Sequence, residues 1–240
     1  MIFCGHNNGV AWRCASLRRG VLAFVLPLFA GWCGLTSAPA GESTTPAAVA
    51  ASTNLPSVAD LTRVRQLLLE STRDNTAFAR SREAIRAMGP SAEAGLVARL
   101  AAKVTSERAN AVTFLGLIKS EKSIPYILAK KRDPEIAVRI AAIEALWCFE
   151  NAAHIRSLAE SFLDDAHPSV RDTAVIVLGR YKDARATPYL IRALDDSDQL
   201  ARTCARKGLE SFSGLVVEGR TEAETNQAWK AWYEKRKKGT

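Results

Sequence analysis

The feature that most constrains this chain is a helical period that is itself repeated. Leu115, Leu146, Leu178 and Leu209 follow one another at intervals of 31, 32 and 31 residues, and Met88 holds the same place in a shorter unit. An alanine stands four residues before each of the five: Ala84, Ala111, Ala142, Ala174 and Ala205. Four residues is about one helical turn, so the small and the large apolar side chain share a face. The alanine lets a neighbouring helix approach closely, while the larger residue fills the groove beside it. Self-similarity at such a period means stacked units, each burying its neighbour's apolar side.

Polar residues keep the same period. Arg108, Arg139, Arg171 and Arg202 precede the four leucines by seven residues, on the same helical face. Asp133, Asp165 and Asp196 stand six residues before the last three of these arginines, in the loops between units. Two readings are open. The acids can cap the following helix and pair with an arginine of the same or the adjacent unit, forming a ladder. Alternatively, they can form a row of carboxylates for a metal. Stacked helices lie roughly 10 Å apart, too far for one ion to bridge successive acids, so the structural ladder is expected.

Residues 167–196, HPSVRDTAVIVLGRYKDARATPYLIRALDD, carry the fullest copy of the pattern. With Pro168, Val170, Arg171, Ala174, Leu178, Gly179, Pro188 and Leu190, this stretch resembles a HEAT-like repeat of the kind named after phycobilisome lyases. The preceding unit keeps Asp133, Pro134, Val138, Arg139, Ala142 and Leu146 but has Trp147 where glycine is usual. The resemblance covers residues 77–213. It implies an all-α fold, a right-handed α-solenoid of stacked antiparallel helix pairs, with about four full units plus capping helices. It does not imply one function, since such repeats serve as interaction surfaces in many unrelated proteins.

Four regions follow. Residues 1–40 read as a signal peptide: Arg13, Arg18 and Arg19 precede the apolar run GVLAFVLPLFAGWCGL, and Ala38-Pro39-Ala40 offers a small-x-small cleavage site. The alternatives are a lipoprotein cysteine at Cys33 and an uncleaved anchor over residues 20–41, close to the ~20 residues a membrane span needs. Residues 41–58, rich in Ala, Ser, Thr and Pro with Glu42 as the single charge, read as a flexible linker. Residues 59–213 form the repeat domain. Helices are expected over 77–88 and 92–102, 107–118 and 123–131, 134–149 and 152–163, 168–181 and 185–194, then 198–212. A capping helix precedes them, with Leu61, Val64 and Leu68 on one stripe. Residues 214–240 combine an irregular loop, a last helix opened by a Thr221/Glu224 capping box, and a basic tail. Trp229, Trp232 and Tyr233 share one face of that helix and are expected to seal the open end of the stack, with a partner-docking patch as the alternative.

Composition narrows the function. The net charge of +8 contains the three leader arginines, and Lys235, Arg236, Lys237 and Lys238 supply most of the remainder. The repeats are nearly neutral, which argues against nucleic acid, whose binding needs a basic stripe. The basic tail is expected to be solvated, with weak contact to anionic lipid or cell-wall polymer as its widest role. Of five cysteines, Cys4, Cys14 and Cys33 lie in the leader. Cys148 and Cys204 fall two units apart, too far for a disulfide, and read as small buried packers.

Beyond the leader, His154 and His167 are the only histidines. They lack the His-Glu pairs of the iron-binding hydroxylases built on these repeats, and Asp164-Asp165-x-His167 is a poor metal triplet. No nucleophile elbow, P-loop or dinucleotide turn is present. No catalytic residue, metal or cofactor is therefore assigned. The expectation is an exported, periplasmic or extracellular monomer that binds a protein partner, not nucleic acid. It meets a membrane only through its N-terminal segment or tail. The binding face is placed on the concave side formed by the second helices, with Lys130, Arg156, Glu160, Tyr189 and Arg192 exposed there. The alternative is an enzyme or ligand carrier, bilin-lyase-like or metal-dependent, with an unrecognised site.

Overall fold

In a computed structural model of the chain, residues 57–149 and 151–238 are described. The signal-peptide, lipidation and anchor expectations, and nearly all of the linker, lie outside them. The described chain is all-α. Its elements are α1 (Val58–Ser71), α2 (Asn75–Met88), α3 (Glu93–Arg99), α4 (Thr105–Ile118), α5 (Ile124–Ala129), α6 (Ile136–Cys148), α7 (Ile155–Phe162), α8 (Pro168–Arg180), α9 (Thr187–Ala193), α10 (Gln199–Ser213) and α11 (Glu222–Lys238). None of the described helices is long and apolar enough to cross a membrane.

The helices form antiparallel pairs, α2 with α3, α4 with α5, α6 with α7, and α8 with α9, followed by α10 and the capping α11, which packs on α9. First helices pack on first helices along the array, α2 on α4, α4 on α6, α6 on α8 and α8 on α10. The repeat alanines explain that order. Ala111, Ala142, Ala174 and Ala205 are fully buried, as are Leu115, Leu146, Leu178 and Leu209. Burying each leucine contributes about 2 kcal/mol, so the four together hold the stack with a large apolar seam. α6, in the middle, is buried nearly all round, with Val138, Ala141, Ala142, Ile143, Ala145 and Leu146 all in the core. That is why it reads as apolar without an amphipathic stripe.

Small residues set how closely the first helices approach. A Cβ built on Gly116 would lie 2.7 Å from Ala145 Cα, and one on Gly179 would lie 2.9 Å from Gly208 Cα. Backbones therefore meet directly between α4 and α6 and again between α8 and α10. Trp147 occupies the corresponding place in the unit between them. Its ring stands edge-on to Tyr181 at 5.1 Å, filling the joint between α6 and α8 with aromatic side chains.

The second helices are shorter than expected, because a 3-10 turn opens each of them: Gly89–Ala92, Glu121–Ser123, Ala152–His154 and Ala184–Ala186. Pro125 and Pro188 then sit at the first α-helical turn, where a missing N–H removes no bond. The turn out of the first helix takes a positive φ at Gly89 (55°), Lys119 (50°) and Lys182 (48°). Neither lysine is announced by a glycine in the sequence. Among the first helices, α8 starts at Pro168 as expected, α2 and α4 start two residues earlier than expected, and α6 starts two residues later. Pro134 lies ahead of α6, and the N-caps are Glu135, His167 and Asp198 rather than the loop aspartates.

Candidate functional site

The arginine–aspartate positions come together as a continuous internal ladder. Arg108 clasps Asp133 with two bonds of 3.0 Å. Arg139 holds Asp165 at 2.8 and 3.0 Å, and Arg171 holds Asp196 at 2.8 and 2.8 Å. Each acid thus pairs with the arginine of the preceding unit. The free edge of the same guanidinium donates to backbone carbonyls ahead of its own helix: Arg108 to Ala102 and Lys103, Arg139 to Asp133 and Pro134, Arg171 to Asp165 and Ala166. One aspartate oxygen in each loop accepts the N–H two residues on, at Glu135, His167 and Asp198. The acids therefore turn the loop ahead of the N-cap instead of capping the helix themselves. These side chains are 5–13 % exposed, so every ligand position on them is consumed within the fold.

The electrostatics follow the geometry. Burial opposes ionisation of Asp133, but Arg108 and the Glu135 N–H hold its carboxyl below the usual range. The Arg171 hydrogen bonds do the same for Asp196. The fourth arginine departs from the pattern. Arg202 keeps its carbonyl bonds to Asp196 and Ser197, but its acid is Glu222 of α11, at 2.9 Å. Arg206 reaches the same carboxylate at 2.7 Å. Together they push Glu222 down to about 2. The capping helix so takes over the acid of a sixth unit, at a spacing the repeat does not predict.

The C-terminal aromatics divide in burial. Trp229 is fully buried, and Trp232 and Tyr233 are half-buried. The Trp229 and Trp232 rings meet edge-on at 5.4 Å. Asn226 donates to the Leu194 carbonyl at 2.9 Å, and Lys230 grips Asp195 at 2.6 Å, fastening α11 across the end of α9. The helix start is a variant of the expected capping box: Thr221 Oγ1 accepts from the Glu224 N–H, while the Glu224 carboxylate accepts from the Arg220 N–H. The basic residues at the C-terminal end are exposed, as expected. Residues 235–238 are the last turn of α11, with Arg236 over the Phe212 and Trp232 rings and Lys237 over Tyr233. Leu215 and Val216 are exposed loop residues that form no strand.

The five residues placed on the second helices differ in what they offer. Arg156 and Glu160 are exposed and pair with each other at 3.2 Å along α7. Arg192 is exposed and reaches Asp164 at 3.3 Å. Lys130 is not an exposed contact residue: it is half-buried, and its Nζ donates to the Leu100 carbonyl at 2.6 Å, tying α5 to the unit before. Tyr189 is half-buried against the core. The sequence reading missed Tyr126, 48 % exposed in the register of Tyr189, although the repeat alignment of Pro125-Tyr126 with Pro188-Tyr189 points to it. A shallow groove between α7 and α9 is lined by Ile155, Arg156, Arg185, Pro188 and Tyr189.

The metal and thiol candidates are occupied otherwise. Asp165 belongs to Arg139, and His167 Nδ1 accepts from the Ser169 N–H as the cap of α8. No group of three metal-ligating side chains occurs among the described residues. Cys148 and Cys204 are not joined; Cys204 is buried, but Cys148 is half-buried rather than buried as expected. Two carboxyls stand out at the joints between first helices. Burial pushes Glu144 up to about 7. Burial, with Asp198 and Asp196 nearby, pushes Asp172 up to about 7 as well. Burial also raises Tyr181 to about 12.

Known proteins match this architecture. Residues 155–217 match the family model described as HEAT repeats. This stretch of the chain consists of HEAT repeats. Among solved structures, the complex of CpcE and CpcF of phycocyanin lyase from Nostoc sp. PCC7120 aligns at 18 % identity with a TM-score of 0.52, over 62 % of this chain and 99 % of that one. Human deoxyhypusine hydroxylase in complex with glycerol aligns at 14 % identity with a TM-score of 0.39, over 73 % of this chain and 96 % of that one. No curated protein matches the sequence. The ladder arginines and aspartates are the internal fastening of this helical array.

Proposed function

We propose that this HEAT-repeat protein is a non-catalytic scaffold that binds a partner protein through the outward surface of its second helices. The observation that carries this reading is the contrast between the two sides of the array. On the first-helix side, glycine contacts and the ladder consume small residues and charges alike. On the second-helix side, Tyr126, Arg156, Glu160 and Arg192 remain exposed, and Arg156 lines the α7–α9 groove together with Tyr189. Tyrosine and arginine are the side chains that most often anchor protein interfaces, since they cover large area with few rotamers to fix. The phycocyanin lyase structure, a complex of CpcE and CpcF, supports a partner-binding use of the fold.

The partner is sought by crosslinking and affinity capture. Tyr126→Ala, Arg156→Ala, Tyr189→Ala and Arg192→Ala are then measured one at a time against the purified partner. Loss of about 1–3 kcal/mol at two or more of these positions is the expected result. Unchanged affinity at all four would remove this surface from the function. We further propose that the protein works outside the cytosol after cleavage following Ala40. The mass of the mature protein and its recovery by cell fractionation check both points; an intact chain in the cytosolic fraction overturns them.

A further inference from the structure

The two ends of the array are closed differently. At the C-terminal end, α11 crosses the last pair and buries Trp229 completely. At the other end, α2 packs on α4 along one flank, and among the described residues only α1 lies along its other flank. The repeat alanines register the difference. Ala111, Ala142, Ala174 and Ala205 are fully covered, whereas Ala84, in the same position of α2, stays half-buried.

A groove runs between α1 and α2 beside Ala84. Its walls are two helical stripes, Arg63, Leu67 and Glu70 on α1, and Arg73, Ala77 and Arg80 leading into and along α2. The floor is apolar, since Leu67 and Ala77 are buried in the core. The rim is cationic. The Arg63 guanidinium donates to Gln66 at 3.4 Å, and Gln66 in turn donates to Glu70. Arg73 and Arg80 are exposed, and their guanidiniums have no hydrogen-bond or ion-pair partner among the described residues. That sets them apart from the ladder arginines, each of which is saturated by a carboxylate and two carbonyls.

We propose that this groove binds an acidic amphipathic helix of a partner protein. Repeat register selects a helix: in every later unit the alanine at this position is fully covered within the stack of first helices, whereas Ala84 is not. Charge selects an acidic one, because three guanidiniums face a single carboxylate. Glu70 within the rim, and the near-neutrality of the repeats, disfavour a polyanion such as nucleic acid, which needs a continuous basic field. The chain's own residues 1–56 do not fit the rim, since they carry Arg13, Arg18 and Arg19 with Glu42 as their only acid. The matching ligand presents carboxylates about two turns apart, with Ala or Leu between them to lie over Leu67, Ala77 and Ala84.

The test uses the full chain and a fluorescein-labelled helical peptide of that pattern, followed by anisotropy. Saturable binding is expected, weakening with added salt. R73E/R80E weakens it about tenfold or more, while R132E, at an exposed arginine of another unit, leaves it unchanged. A peptide with lysine at the same positions binds R73E/R80E and not the parent protein, which separates the charge effect from misfolding. Equal binding of a scrambled acidic peptide, or R73E/R80E binding like the parent, overturns the proposal. So does a dimer on size exclusion that R73E/R80E dissociates, since a second copy would then fill the groove.

Discussion

Arg171 holds three pieces of chain with one planar group: the Asp196 carboxylate, the Asp165 carbonyl and the Ala166 carbonyl. Its geometry needs a fork, which lysine lacks. Arg171→Ala is expected to cost about 3 kcal/mol, because it leaves the nearly buried Asp196 carboxylate with the Asp198 N–H but no cationic partner and removes the side-chain donor to two carbonyls; Arg171→Lys recovers only part. Urea denaturation of both variants measures this. Lys182 is a different kind of residue, held at φ 48° where a Cβ is unfavourable. Lys182→Gly is expected to stabilise the fold by about 1 kcal/mol in the same assay.

Asp172 sets a pH dependence. It is 8 % exposed, one of its oxygens has no hydrogen-bond partner, and its folded value of about 7 lies above the ordinary 3.8. Folding therefore favours the neutral carboxyl. Below the unfolded value both states are protonated and nothing is lost. Between about pH 4 and 7 the ionisation penalty grows, and above 7 it is complete. Glu144 acts in the same direction. The ladder acids act in the opposite one: Asp133 and Asp196 contribute stability above about pH 4 that is lost on acidification. Asp172→Asn is expected to raise the melting temperature at pH 8 and leave it nearly unchanged at pH 4. An equal shift at both values would rule out this account.

At the scale of helices, glycine decides spacing. Gly179 lies inside α8, where alanine has the better helix propensity by about 1 kcal/mol. Gly179→Ala is nevertheless expected to destabilise, by about 1–3 kcal/mol, because its Cβ would meet the Gly208 backbone at 2.9 Å and push α8 from α10. Thermal denaturation decides the sign. Trp147 shows the alternative solution, a joint filled by rings instead of closed backbone to backbone. A sequence shows that glycine is replaced there, but not whether the neighbour retreats or supplies an aromatic partner. Tyr181 supplies it, from a helix one unit away.

For the molecule as a whole, stability passes from neighbour to neighbour along the array, and the ends carry special weight. α11 is fastened through Glu222, Asn226, Trp229 and Lys230 to the last pair. Trp229→Ala is expected to cost about 3–5 kcal/mol. Hydrogen exchange should accelerate first in α9 and α10, and least in α4 and α6. Uniform acceleration across all helices would show one cooperative unit in place of a nearest-neighbour chain.

The helical array was legible because burial leaves a periodic mark. An alanine and a leucine at a fixed offset recur wherever one helix lies on the next, so Ala142 and Leu146 announce their own surroundings. The ladder was half legible: the period pointed to the arginines and aspartates, while the choice between the same and the adjacent unit needed the loops in three dimensions. Glu222 could not be found that way, because the terminal helix breaks the period that would have marked it. Lys130 looked like a surface residue, since a lysine's sequence says nothing of the Leu100 carbonyl 30 positions earlier. Architecture was written in the chain because it depends on local, repeated patterns. The exposed tyrosine and arginine surface and the arginine-rimmed groove were not, because each arises only when non-repeating side chains from separate helices are folded side by side.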